Sequence, residues 1–148
     1  MKTYKSNISG LRLVKVKSEF KKVKIKSSKD ASTYIRAFFQ DDIEIYESFF
    51  MILLNRVNNT EAYVKISQGG VVGTIVDVKL IAKYAIDCLA SGVIVCHNHP
   101  SGELTPSDAD RRITQKIKQA LNFLDINLLD HIILTKENYL SFADEGIL

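Results

Sequence analysis

The tetrapeptide Val93-Ile94-Val95-Cys96 runs directly into His97-Asn98-His99-Pro100. A short, wholly apolar run of this kind suits a strand buried on both faces. Side chains two apart along a strand share a face, so both imidazoles can reach one point at its end. Pro100, with no N–H to give to a ladder, stops the strand. Eleven residues past His99 comes Asp110, in a segment that reads as a helix start. There Thr105 can serve as the cap, Pro106 as the first helical residue and Asp108 as a favourable charge at the positive end. Ser107 and Asp110, three apart, would then lie on one face of the first turn and look back toward the two histidines. Two imidazoles and one carboxylate form a ligand set that suits zinc. Three protein ligands leave one tetrahedral position open, the pattern of catalytic rather than structural sites. A His-x-His pair by itself is weak evidence, but two of the chain's three histidines stand here. The third, His131, lies in the apolar run Leu128-Leu129-Asp130-His131-Ile132-Ile133-Leu134 and reads as a hydrogen-bonded strand residue, not a ligand.

The remaining pattern predicts an α/β fold of one compact body, a mixed β-sheet flanked by helices, which 148 residues can close around a core. Ser28 to Ser32 offers helix-start chemistry before an amphipathic helix through Phe39, and Asp41-Asp42 reads as a break. Residues 47–55 form a continuous apolar run opened by Glu47, and residues 62–67 return as its partner across the Asn58-Asn59 turn. Leu80, Ile81, Tyr84, Ala85, Cys88 and Leu89 recur at helical spacing, with Ser91-Gly92 closing that helix. Ile113, Ile117, Ala120, Leu121 and Leu124 make the core stripe of the helix that carries Asp110. Strands over 126–134 and 139–142 complete the sheet.

Charge is unevenly placed. Residues 1–30 hold nine lysines and Arg12 against only Glu19 and Asp30. The alternation over 11–17 and 22–26 has the period of half-buried strands, with lysines outward, where they discourage edge-to-edge pairing. We therefore treat 1–39 as a basic strand and helix segment packed on a 40–148 body. A nucleic-acid contact through Lys22, Lys24 and Lys26 is the alternative use of those charges, although Tyr4 and Phe20 are isolated and form no stacking platform. No run of about 18 apolar residues predicts a membrane span, and the N-terminus lacks the apolar stretch of a signal peptide. Cys88 and Cys96 lie in apolar surroundings and read as buried thiols. A reducing cytoplasm and no membrane partner are the expectation.

The pattern His97-x-His99-Pro100 with Ser107 and Asp110 resembles the JAMM signature of the MPN-plus (JAB) metallopeptidases. The longer string His-Asn-His-Pro-Ser-Gly followed by Pro-Ser-x-x-Asp resembles the RadC branch of that superfamily. Gly73-Thr74, residues 90–95, Leu129-Asp130-His131-Ile132-Ile133 and Tyr139-x-Ser141-Phe142 extend the likeness over residues 40–148. The resemblance implies a cytidine deaminase-like JAB (MPN) domain with Zn2+ held by His97, His99 and Asp110. It implies hydrolysis of a peptide or isopeptide amide in an unidentified protein or peptide. It also implies a glutamate general base on an earlier strand. The matching position is Glu47, with Glu44 a nearby competitor, whereas from the residues alone Glu47 is an exposed strand-end glutamate. Ser107 would donate a hydrogen bond to the developing oxyanion, a role compatible with capping the helix. The repair-associated RadC name carries the alternative of a nucleic-acid-associated accessory protein without peptidase activity. Longer RadC relatives carry a helix-hairpin-helix region, and residues 1–39 do not read as a helical hairpin pair, so DNA binding through that module is not expected. Residues 69–72 and 101–104 are the candidate specificity loops.

Overall fold

A computed structural model describes residues 21–69 and 75–148. The strand expected over 11–17, Gly73-Thr74 and most of the 69–72 loop lie outside the described residues. Helix α1 (Ser28–Arg36) is followed by a 3-10 turn (Gln40–Glu44), then β1 (Ser48–Leu54), β2 (Thr60–Gln68), α2 (Val78–Asp87), β3 (Gly92–Asn98), α3 (Asp108–Asn122), β4 (Asn127–Leu134) and β5 (Tyr139–Ser141). The five strands lie in the order β2-β1-β3-β4-β5. The sheet is mixed: β3 and β4 are parallel, and the other neighbours are antiparallel.

Every residue of β1 and β3 is buried, as their unbroken apolar runs require. The pleat divides their side chains between two cores. Phe50, Ile52, Leu54, Ile94 and Cys96 meet Ala31 and Ile35 of α1 on one face. Phe49, Met51, Leu53, Val93 and Val95 meet Ile81 and Ala85 of α2 and Ile117 and Leu121 of α3 on the other. The parity of β3 therefore sends His97 toward α3 and Asn98 toward α1.

The end of the basic segment follows its alternation. Lys22, Lys24 and Lys26 are exposed, and Ile25 enters the core beneath α1. Backbone bonds between Ile25 and Asn58 and between Thr60 and Val23, each 2.9 Å, tie this stretch to the β1–β2 turn. Lys22 is held by Glu61 at 2.6 Å.

Four helix ends or faces differ from expectation. Helix α2 closes at Asp87, before Gly92: the Ala90 N–H reaches the Ala85 carbonyl and the Leu89 N–H that of Ile86, with Leu89 at φ +53°. This is a Schellman end with leucine in the place usually taken by glycine. Gly92 instead opens β3, where a Cβ would stand 2.8 Å from Leu129 Cδ1. The buried stripe of α2 is narrower than its periodicity suggests, since Leu80, Tyr84 and Leu89 are exposed. Helix α3 is capped at Ser107, two residues later than Thr105 would place it. The Ser107–Asp110 pair satisfies two terminal N–H groups reciprocally, which a Thr105 cap ahead of the N–H-less Pro106 does not match. Leu124 falls beyond the end of α3 and is exposed. The two cysteines form no disulfide; Cys96 is buried as expected but Cys88 is only half-buried, and burial pushes the Cys96 thiol well above its ordinary pKa. Among the described residues, no helix is long and apolar enough to cross a membrane.

Candidate metal centre

β3 ends by presenting His97 and His99 on the face covered by α3, and the first turn of α3 brings Asp110 to them. One ligand atom from each of the three lies within 4.8 Å of the others. His97 Nε2 is 2.9 Å from His99 Nε2 and 3.1 Å from Asp110 Oδ1, and His99 Nε2 is 3.4 Å from Asp110 Oδ2. Donors placed 2.0–2.1 Å from a tetrahedral ion lie about 3.3 Å apart, so this triangle is close to the size of one face of such a site. Two imidazole lone pairs this near each other repel unless a proton or a cation lies between them. The chemistry and spacing of the donors both fit a metal ion.

The far nitrogen of each ring is also engaged. His99 Nδ1 donates to the Glu103 carbonyl at 2.7 Å, which leaves Nε2 as its lone-pair atom. His97 Nδ1 meets His131 Nε2 at 2.8 Å, and His131 Nδ1 meets the Thr114 hydroxyl at 2.6 Å. Partners on the non-ligating nitrogen are the usual means of orienting a metal-binding histidine. The His97 side chain is 2 % exposed, against 15 % for His99 and 13 % for Asp110, so the centre opens on the side of the latter two.

Electrostatics follow from the same contacts. Burial pushes the Asp110 carboxyl up, but the His97 and His99 rings beside it and the hydrogen bond from the Ser107 N–H outweigh that effect and hold the group far below the usual carboxylate range. The bond to Asp110 raises His99 against the opposing effect of burial, helped by the Glu103 carbonyl and the charge of Glu47. Complete burial holds His131 well below the ordinary histidine value.

The other expected residues sit as follows. Phe49 pairs with His97 across the β1–β3 ladder, and Glu47, half-buried just ahead of β1, is near enough for its charge to act on His99. Glu44 is exposed and ion-paired with Lys136 at 3.0 Å. Ser107 Oγ accepts the Asp110 N–H at 3.0 Å, and Asp110 Oδ2 accepts the Ser107 N–H at 2.7 Å. The serine is exposed, and its hydroxyl proton is not consumed by the cap.

Two contributors escaped the sequence reading. Asn98, fully buried, accepts the Ser48 N–H at 2.8 Å and donates to the Ile43 and Tyr46 carbonyls at 2.7 and 2.8 Å. It fastens the segment around Glu47 to the strand that carries both histidines. Its signal was parity: it shares a face with Ile94 and Cys96, where a polar side chain must find partners. Thr114 is likewise a buried polar residue on the stripe of Ile117 and Leu121, one turn after Asp110.

Comparison with known proteins agrees with this architecture. The family model for the RadC-like JAB domain matches residues 25–147. A UPF0758 protein of Flavobacterium johnsoniae is 48% identical over 124 residues, covering 84% of this chain and 53% of its own length. UPF0758 proteins of Porphyromonas gingivalis and Shewanella pealeana are 42% and 40% identical over 103 and 101 residues, covering 69% and 68% of this chain. Those two alignments each take in 45% of the relative, so the chain spans about half the length of the curated relatives it matches. With a mixed five-stranded sheet between helices and a match over nearly all of the described residues, the chain belongs to the family of RadC-like JAB domains.

Proposed function

We propose that this domain is a zinc-dependent hydrolase of JAMM type that cleaves a peptide or isopeptide amide bond. The observation that carries the reading is the convergence of His97 Nε2, His99 Nε2 and the Asp110 carboxylate, each oriented from behind by a hydrogen bond. Zinc, held by His97, His99 and Asp110, would supply a Lewis acid that brings the pKa of water down toward neutrality. Glu47 would take the proton of the water that attacks the amide carbonyl and pass it to the amine that leaves as the C–N bond breaks. Ser107 donates its unused hydroxyl proton to the amide oxygen as negative charge grows there, a contact whose loss costs ~10²–10³ in rate. Asn98 keeps the Glu47 segment in register with the histidines.

The test is zinc stoichiometry on protein purified without added metal or a histidine tag, followed by turnover of peptide and isopeptide-linked substrates. About one zinc per chain, lost in His99→Ala, is expected from a three-ligand site. Glu47→Gln should keep the zinc and lose turnover. A chain that takes up no zinc even when it is supplied refutes the hydrolase reading, and an unchanged rate in Glu47→Gln refutes the base.

A second reading, a nucleic-acid-associated accessory role, rests on the outward row of Lys22, Lys24 and Lys26. It requires salt-dependent DNA binding whose slope shrinks when the three are neutralised. The Glu61 carboxylate against Lys22 weakens that row.

A further inference from the structure

Behind the metal-facing triangle, three groups from three elements form a line: His97 on β3, His131 on β4 and Thr114 on α3. The direction of every proton along it can be deduced from its far end. Thr114 Oγ1 lies 2.5 Å from the Asp110 backbone carbonyl oxygen. Two oxygens that close need a proton between them. A carbonyl has none, so the proton is that of the threonine.

A hydroxyl has one proton to give. With it committed to Asp110, Thr114 can only accept from His131 Nδ1, 2.6 Å away, so that nitrogen carries the hydrogen. His131 is fully buried, where a second proton would make an imidazolium without water. Its Nε2 is therefore a lone pair, and the contact at 2.8 Å is a donation from His97 Nδ1–H. A neutral His97 protonated at Nδ1 has a bare Nε2, the atom that faces His99 and Asp110.

We infer that Thr114 and His131 are positioning residues that lock His97 into its metal-binding tautomer through a one-way hydrogen-bond chain ending on the backbone of the third ligand, Asp110. The inference rests on the reading of His97 and Asp110 as metal ligands. It assigns control of the centre to a hydroxyl that touches no ligand side chain. Removing that hydroxyl frees His131 to hold its proton on Nε2. His97 Nδ1 would then become an acceptor, and the proton would move to the face the metal needs.

The experiment compares Thr114→Val, which keeps the shape, with Thr114→Ser, which keeps the hydroxyl. Zinc affinity of the metal-free chain is read by competition with a chromophoric chelator, with folding checked by circular dichroism. Thr114→Val should bind zinc ~10–100-fold more weakly, the usual effect of losing an orienting partner, and Thr114→Ser should stay near the parent. A Thr114→Val protein that binds as tightly as the parent overturns the chain, and so does equal loss in both variants, since packing alone would then explain it. Nitrogen-15 NMR of the unsubstituted metal-free chain gives an independent reading: His131 should show a protonated Nδ1 and a bare Nε2, and the reverse overturns the inference. That measurement needs no bound zinc, so it stands even if the hydrolase reading fails.

Discussion

Asn98→Asp is an isosteric change that inverts the chemistry of the most tightly held side chain near the centre. The new carboxylate can still accept the Ser48 N–H, but it has nothing to offer the Ile43 and Tyr46 carbonyls, which the native amide meets at 2.7 and 2.8 Å. Position 98 is 0 % exposed and Ile43 is 9 % exposed, so neither the charge nor the Ile43 carbonyl regains water, whereas Tyr46, at 39 %, rehydrates more easily. Leaving the buried carbonyl unpaired costs ~1–3 kcal/mol, and a buried charge facing two carbonyl dipoles adds a comparable amount. A total of about 3–5 kcal/mol at pH 7.5 is a large share of the ~5–15 kcal/mol that holds a domain together. It corresponds to a fall in Tm of roughly 10 °C or more. The signature is its pH dependence. Burial raises the carboxyl pKa of the native variant above the unfolded value, so the native state keeps a proton that the unfolded chain releases. The deficit should therefore narrow as the pH falls, because a protonated carboxyl can donate to one of the two carbonyls. Urea denaturation of the metal-free parent and variant at pH 7.5 and 5.5 measures both. A deficit under about 1 kcal/mol at pH 7.5, or one that does not change with pH, would refute the role given to this amide.

Other outcomes follow from the same contacts. Because burial holds His131 below its ordinary pKa, the unfolded chain binds a proton below about pH 6.5 that the native chain refuses; stability should fall with acid by up to ~1.4 kcal/mol per pH unit, and His131→Gln should flatten that slope in urea titrations. His99 has the opposite sign: raised chiefly by its bond to Asp110, it adds stability that is full below its unfolded value and lost as the pH rises through its folded one. Zinc must displace that proton, so zinc affinity measured against pH should weaken on the acid side. Leu89, 75 % exposed at φ +53°, offers little packing to lose, and Leu89→Gly should gain about 0.5–1 kcal/mol in thermal unfolding. A loss there would show that the leucine side chain packs usefully.

Much of the architecture was legible from residues 92–110, because an unbroken apolar strand followed by two polar residues of the same parity leaves few options. The resemblance carried by the His-x-His, Ser107 and Asp110 pattern led to the correct family and sheet class. The misplaced details share one cause: local signals competed, and tertiary geometry decided between them. Thr105-Pro106 is a good helix start, but the reciprocal Ser107–Asp110 pair is a better one, and only the fold shows that Asp110 must also face β3. Gly92 reads as a helix terminator because Gly usually is one, yet here its missing Cβ makes room for Leu129, a contact between strands that spacing does not encode. Asn98 and Thr114 escaped because a polar residue on an apolar face announces a need for partners without naming them.

The connection from β3 to β4 also has a consequence in time. β1 and β2 join through a short turn and can zip from local contacts, whereas His97 pairs in parallel with Ile133, far along the chain. Asp110 lies inside that crossover. Parallel partners meet only after the intervening loop and helix have closed, which is a slow, non-local event. The donor triangle is thus among the last features to be completed during refolding. A metal-sensitive dye mixed with refolding chain should report capture only after the hairpin has formed, and excess zinc should leave the earlier phase unchanged.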